Sequence, residues 1–169
     1  ALYYAFMEAV KSYQDSCVIT IPKPADFLIL SAGGYPFDSN YQQSMKAVMQ
    51  CMKAVKLGGK VLYFVKADYG MGIPAFKNYI DQFRSAQSIL DYTKNHRYHQ
   101  GMHNAYYYRK FTEEHDVYYK TELPHDYVES VLGVKFEEDP QKIINTIIPY
   151  THSIYVIRHG TKLMVKIQQ

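Results

Sequence analysis

Tryptophan is absent from this 169-residue chain, and cysteine occurs only at Cys17 and Cys51. Two cysteines so far apart have no metal-ligand spacing and build no disulfide framework. They fit free thiols in a reducing compartment, so the expected location is cytoplasmic. An excess of charge is lacking too. The formal net charge is +3, and no short window is dominated by Lys and Arg, which argues against nucleic acid as the partner. No apolar run approaches the roughly 20 residues of a membrane span. Residues 1–6 carry no basic n-region, and Glu8 follows soon after, so the start is a poor signal peptide. It lacks an initiator Met and falls inside a predicted helix, as expected of a piece of a longer protein.

What is present is ordinary for a globular domain, with 47% hydrophobic and 21% charged residues and 18 tyrosines. The length suits one domain, and neither a linker nor a repeat interrupts residues 1–169. Helical spacing of Leu2, Phe6, Ala9, Val10 and Tyr13 predicts a helix over 2–13. Strands are expected at 17–21, 27–32, 60–67, 117–120, 153–157 and 163–167. Helices are expected at 40–55, 75–90, 103–115, 124–132 and 140–148. Ser39 with Gln42 reads as a capping box for the second helix. This alternation predicts a three-layer α/β sandwich with a mainly parallel, Rossmann-like sheet. The last two strands, around His159-Gly160, can form an antiparallel hairpin at one edge.

In such folds ligands bind outside the carboxyl ends of the strands. Two loops fall there, 31–38 and 68–74, and Arg158-His159 joins them if the preceding strand runs parallel. The first loop carries Gly33-Gly34 between a strand and a helix start. That is either a turn that needs positive φ or a close backbone approach to an anion. In the following helix, Tyr41, Met45, Val48, Met49, Met52 and Val55 share one side, with Gln43, Lys46, Gln50 and Lys53 on the other. Gln43 and Lys46, three apart near the helix start, are either a solvated face or a ligand-binding pair. In the second case the opposite wall must come from another domain or subunit. His96, His99 and His103 have the i, i+3, i+7 spacing of a metal face, but in an irregular segment without a further ligand. Surface histidines are the ordinary reading, and no metal site is assigned.

The block Pro24-Ala25-Asp26, then Phe27-Leu28-Ile29-Leu30-Ser31-Ala32-Gly33-Gly34-Tyr35-Pro36 and Asp38, resembles the C-terminal domain of the nickel-pincer lactate racemases and their relatives. Ala54-Val55-Lys56 with Gly58-Gly59, His103 with Ala105-Tyr106, and Val131-Leu132-Gly133 follow in the same order. The resemblance implies a domain that faces a 2-hydroxy-acid substrate and a nickel pincer nucleotide. The catalytic histidines and the lysine that anchors the cofactor are implied to lie in an N-terminal domain that these residues do not resemble. The implied reaction abstracts hydride from the α-carbon and returns it to either face, racemising the centre. A histidine base takes the hydroxyl proton. The family's substrate-contacting glutamine and lysine fall on Gln43 and Lys46 when aligned without gaps. A one-residue slip would instead pair Tyr41-Gln42 with Met45 and lose the lysine. Gly33, Gly34 and Tyr35 would line the same site, and the family's nearby aromatic residue corresponds to His103. The chain alone is expected to be inactive. A stand-alone, non-catalytic α/β module that binds a small anion or nucleotide is the alternative, and a structural domain that supports oligomerisation is a third.

Overall fold

The structure, a computed structural model, describes residues 1–168. Its centre is β2 (Ala25–Ser31), where Phe27, Leu28 and Leu30 are fully buried. A strand covered on both faces is read as a continuous apolar run. Each such side chain contributes about 1.5–3 kcal/mol by leaving water. Around it lie β3 (Val55–Phe64), β4 (Asp116–Lys120), β5 (Lys135–Phe136) and β6 (Ile154–Ile157), in the order β5-β4-β3-β2-β6, with every neighbouring pair parallel.

Helices fill both faces. α2 (Tyr41–Cys51), α3 (Pro74–Gln82), α4 (Ala86–Asn95) and α5 (Met102–Glu114) pack with Leu28, Leu30, Val61 and Tyr63 in the larger core. On the other face Phe27 and Leu62 meet Ile143, Ile144 and Ile147 of α7 (Pro140–Ile147). Between β4 and β5 the chain forms a short α6 (His125–Tyr127) and a π-type turn, Val128–Leu132. The three-layer parallel sandwich expected from the sequence is therefore the observed architecture. Among the described residues no helix is long and apolar enough to cross a membrane.

The expected hairpin at the carboxyl end does not form. β6 pairs in parallel with β2, while β7 (Met164–Ile167) pairs in parallel with β1 (Val18–Ile21) in a separate two-stranded sheet. A tight hairpin turn needs a left-handed glycine. Gly160 is not among the positive-φ glycines. It serves close approach instead, since a Cβ there would lie 2.8 Å from that of Ala47 and 3.1 Å from the Ser31 carbonyl. Period-two patterning shows that a strand exists but not which strand it pairs with.

Other boundaries shift. The helix expected over 75–90 breaks at Phe83, and Ser85 caps a new helix by accepting from the Ser88 amide. β3 begins at Val55 rather than 60, and its register with β2 is interrupted between Ala25 and Phe27. α1 (Leu2–Cys17) forms as expected but buries none of its residues. Its apolar stripe meets no facing element among the described residues.

Asp26 locks β6 against β2. Its carboxylate accepts from the amides of His152 and Ser153 at 3.1 and 3.0 Å and from the Ser153 hydroxyl at 3.0 Å, and pairs with Lys56 at 2.6 Å. The Lys56 ammonium first, then these hydrogen bonds, hold the carboxyl below the usual carboxylate range. A depressed pKa contributes stability that is complete above the unfolded value and is lost progressively as pH falls from there through the folded value. The difference between denaturant melts of Asp26→Asn and the parent should therefore be full near neutrality and begin to shrink only as pH falls below about 4. A constant difference across that range would assign Asp26 no proton-linked role.

Candidate functional site at the carboxyl edge of the sheet

From β2 the chain adds β3, β4 and β5 in turn on one side, and it then returns to place β6 on the other side of β2. Loops leaving β2 and β6 diverge at this reversal, which opens a crevice in folds of this kind. The condition for Arg158-His159 to reach it, a parallel β6, is met. The Gly33 backbone packs there, with its Cβ position 3.4 Å from both the Cα and Nδ1 of His159. Thr161 donates its hydroxyl to the Ala32 carbonyl at 2.8 Å. Gln50, with its amide oriented to satisfy both ends, donates to the carbonyls of Gly160, Thr161 and Leu163 at 2.9–3.1 Å.

The two sequence-predicted loops are also joined. The amides of Ala67 and Tyr69 donate to the carbonyls of Asp38 and Ser39 at 2.7 and 2.8 Å, and that of Tyr41 donates to the Gly70 carbonyl at 2.9 Å. Ala67 adopts φ +54°, a left-handed conformation that a non-glycine residue enters at about 1–2 kcal/mol. Gly33 and Gly34 both have positive φ, at +113° and +78°, so the turn requirement is real. The open space beside Gly34 leaves room for a ligand as well.

α2 starts at the cap Asn40, whose side chain accepts from the Gln43 amide at 3.0 Å. The capping box expected from Ser39 and Gln42 is displaced by this bond. Ser39 donates instead to the Pro36 carbonyl at 3.0 Å, and Gln42 Oε1 accepts from the Ile73 amide at 3.2 Å. Tyr41 is fully buried and Gln42 faces the neighbouring loop. Gln43 and Lys46 are exposed and make no side-chain hydrogen bond or ion pair among the described residues.

Tyr35 stands exposed in the loop before Asn40. His103, near the start of α5, is exposed and bonds through Nδ1 to the Tyr98 hydroxyl at 2.6 Å. It lines a groove between α4 and α5, separate from the crevice. His96 stacks on Tyr92 at 3.8 Å between ring centroids, and its Nδ1 bonds to the Tyr92 carbonyl at 2.8 Å. Among the described residues no group of three His, Cys, Asp or Glu side chains is arranged to hold a metal ion.

A cavity of about 330 Å³ opens at the ends of β2, β3 and β4. Ser31, Gly34, Phe64 and Lys120 are among its walls, with Asp38 and Glu122. The sequence reading singled out neither Ser31 nor Lys120 as a ligand group. The available signal was positional, since each is the last residue of a parallel strand.

A family model described as "Lactate racemase C-terminal domain" matches residues 20–165. The chain belongs to the lactate racemase C-terminal domain family. A lactate racemase of Thermoanaerobacterium thermosaccharolyticum is 33% identical over 69 residues, which are 41% of this chain and 16% of that protein. The structure of the lactate racemase apoprotein from the same organism superposes with a TM-score of 0.82 at 22% identity. The match covers 96% of this chain and 40% of that one. A Thermotoga maritima protein superposes with a TM-score of 0.68 at 17% identity, over 98% of this chain and 42% of its own. At those identities the two structures establish the fold. This chain thus spans well under half the length of these relatives.

Proposed function

We propose that this chain is the substrate-facing part of a lactate-type racemase or epimerase of 2-hydroxy acids, completed by an N-terminal domain of the same protein. The observation that carries the proposal is the paired exposure of Gln43 and Lys46 at the start of α2, without partners of their own, in a chain of this family. Lys46 would pair with the substrate carboxylate and Gln43 would donate a hydrogen bond to the substrate. Gly33 and Gly34 would bring bare backbone close to it. Tyr35 is an exposed ring that would line the same pocket, while His103 lies in the separate groove between α4 and α5. The hydride acceptor would be a nickel pincer nucleotide. The side chains described here do not form a metal-ligand set, so the other domain would hold that group. Free thiols at Cys17 and Cys51 accord with a cytoplasmic location.

The test uses the intact enzyme that contains this domain. Lys46→Ala removes a charge-assisted contact worth about 1.5–3 kcal/mol, so kcat/KM for lactate racemisation should fall about ten- to more than a hundredfold. Gln43→Ala, which removes a neutral hydrogen bond, should cost less. Lys53→Ala, exposed beyond the end of α2, should leave the rate unchanged. All three should melt within about 2 °C of the parent, because exposed side chains contribute little to stability. Equal activity of Lys46→Ala and Lys53→Ala would make Lys46 a solvated surface residue.

A further inference from the structure

The two edges of the five-stranded sheet are not alike. At one end β5 is two residues long, and its Lys135 pairs with Asp116 at 2.6 Å. A short edge strand that carries a lysine is protected against further pairing. At the other end β6 reads Ile154-Tyr155-Val156-Ile157, with no lysine, proline or glycine to blunt it. The Ser153 carbonyl accepts from the Asp26 and Phe27 amides, so Ser153, Tyr155 and Ile157 are the residues whose backbone faces β2. Successive residues of a strand aim their N–H and C=O groups to opposite sides, which turns those of Ile154 and Val156 outward. Among the described residues no strand lies beyond β6 to pair with them. Register with Phe27 and Ile29 puts both side chains on the α7 side of the sheet. They are left uncovered there, with Val156 63% exposed and Ile154 37% exposed. Ile148, in the turn that leads into the strand, is exposed as well.

This edge is complementary to itself. Two β6 strands laid antiparallel about a twofold axis at Tyr155 set Ile154 of each copy opposite Val156 of the other. Both pairs then exchange two N–H···O bonds, which uses every outward amide and carbonyl of the two strands. The exposed Val156 side chain comes to lie beside Ile154 of the other copy, on one face of the joined sheet. A slip by one residue would set an outward-facing residue against an inward-facing one and lose the bonds. The contact is the same patch on both copies, so it closes as a dimer. Covering the outer backbone of β6 with Ile148, Ile154 and Val156 on both copies removes roughly 1,000 Å² from water, the lower end for a specific interface. We infer that β6 is a dimerisation edge, through which two copies of this chain join their five-stranded sheets into one of ten strands. The inference uses neither the crevice nor Gln43 and Lys46, and it is independent of the racemase proposal.

The test is sedimentation of the intact protein that contains this domain, over a range of concentrations. Its mass should rise toward twice that of the monomer with a Kd of about 1–100 µM, as suits an interface of this size. Val156→Lys sets a solvated charge in the joined edge and should hold the protein monomeric at every concentration. Its melting temperature should stay within about 2 °C of the parent, because the side chain it replaces is exposed. Hydrogen exchange of the parent reads the same edge residue by residue. The Ile154 and Val156 amides should slow as concentration rises, while those of Tyr155 and Ile157, held by β2, are slow throughout. A parent that stays monomeric would overturn the inference. Slow exchange at Ile154 and Val156 in that monomer would show that another segment of the same polypeptide holds the edge. A dimer that survives Val156→Lys, or one whose formation leaves the Ile154 and Val156 amides unchanged, would place the contact elsewhere and overturn it too.

Discussion

Replacing Arg109 with methionine is expected to lower stability by about 3–5 kcal/mol, a large share of the 5–15 kcal/mol typical of a domain. The Arg109 side chain is buried in α5 without a carboxylate partner. Its guanidinium donates to four backbone carbonyls: Ile80 and Phe83 at 2.8 Å each, Val131 at 2.9 Å and Leu132 at 3.1 Å. These carbonyls close α3 and the π-type turn Val128–Leu132, ends that carry partial negative charge and lack partners of their own. Arg84 and the Tyr108 hydroxyl also bond to Val131 and Leu132, so the carbonyls most exposed to loss are Ile80 and Phe83. Lysine retains the charge but not the planar fork that reaches two helix ends, so Arg109→Lys should recover less than half of the loss. Denaturant unfolding should show the midpoint falling, with a melting-temperature drop of about 6–20 °C for methionine. A drop under about 3 °C would mean that water takes over the guanidinium's role.

Tyr119→Ala should be comparably severe, at about 3–5 kcal/mol. Tyr41, Tyr63, Tyr108 and Tyr119 are all fully buried. Tyr119 lies 5.5 Å from Tyr63 and 5.8 Å from Tyr41 between ring centroids, and its hydroxyl bonds directly to that of Tyr41. Truncation leaves a ring-sized void beneath α2. Tyr119→Phe isolates a different contribution, because it leaves the buried Tyr41 hydroxyl without its partner at a cost of about 1–3 kcal/mol. Adding Tyr41→Phe should recover part of that loss, since two facing apolar rings strand no polar group. Burial raises both phenols well above their ordinary value. A raised pKa contributes stability that is complete below the unfolded value and lost as pH climbs past it. The parent should therefore weaken above about pH 10, and the double phenylalanine variant should weaken less. Additive single losses, or no difference in the alkaline limb, would show that the hydroxyl contact does not matter.

The sequence made some of this legible. The apolar run at 27–30 and the strand expected over 60–67 marked two central strands, because strands buried on both faces are largely apolar. Helical phase put Gln43 and Lys46 on the outer side of α2, where they are exposed. Arg109 was illegible: it sits in the run Tyr106 to Lys110, and its acceptors lie 22–29 residues away in sequence. In the sequence Lys120 is simply the last residue of a predicted strand, and only the register beside Phe64 gives it a cavity to face. His103 lies at the predicted helix start, but its bond to Tyr98 depends on how 96–101 folds between α4 and α5. That segment has no periodic signal. The partner of β7 was hidden because patterning shows which face is buried and says nothing of the neighbour.

The small sheet of β1 and β7 also has a mechanical meaning. Its two strands run parallel, in register from Val18 beside Met164 to Ile21 beside Ile167. If the chain is held before β1 and drawn out after β7, the strands slide along their own axes. The ladder is then loaded in shear, and its hydrogen bonds resist together instead of opening one at a time. The ladder is also tied to the core, because Ile21 and Val165 are buried in it and β7 packs against α2. Tension along the polypeptide would therefore load the strand ladder and the packing beneath α2 together, which makes the small sheet a shear-loaded clamp.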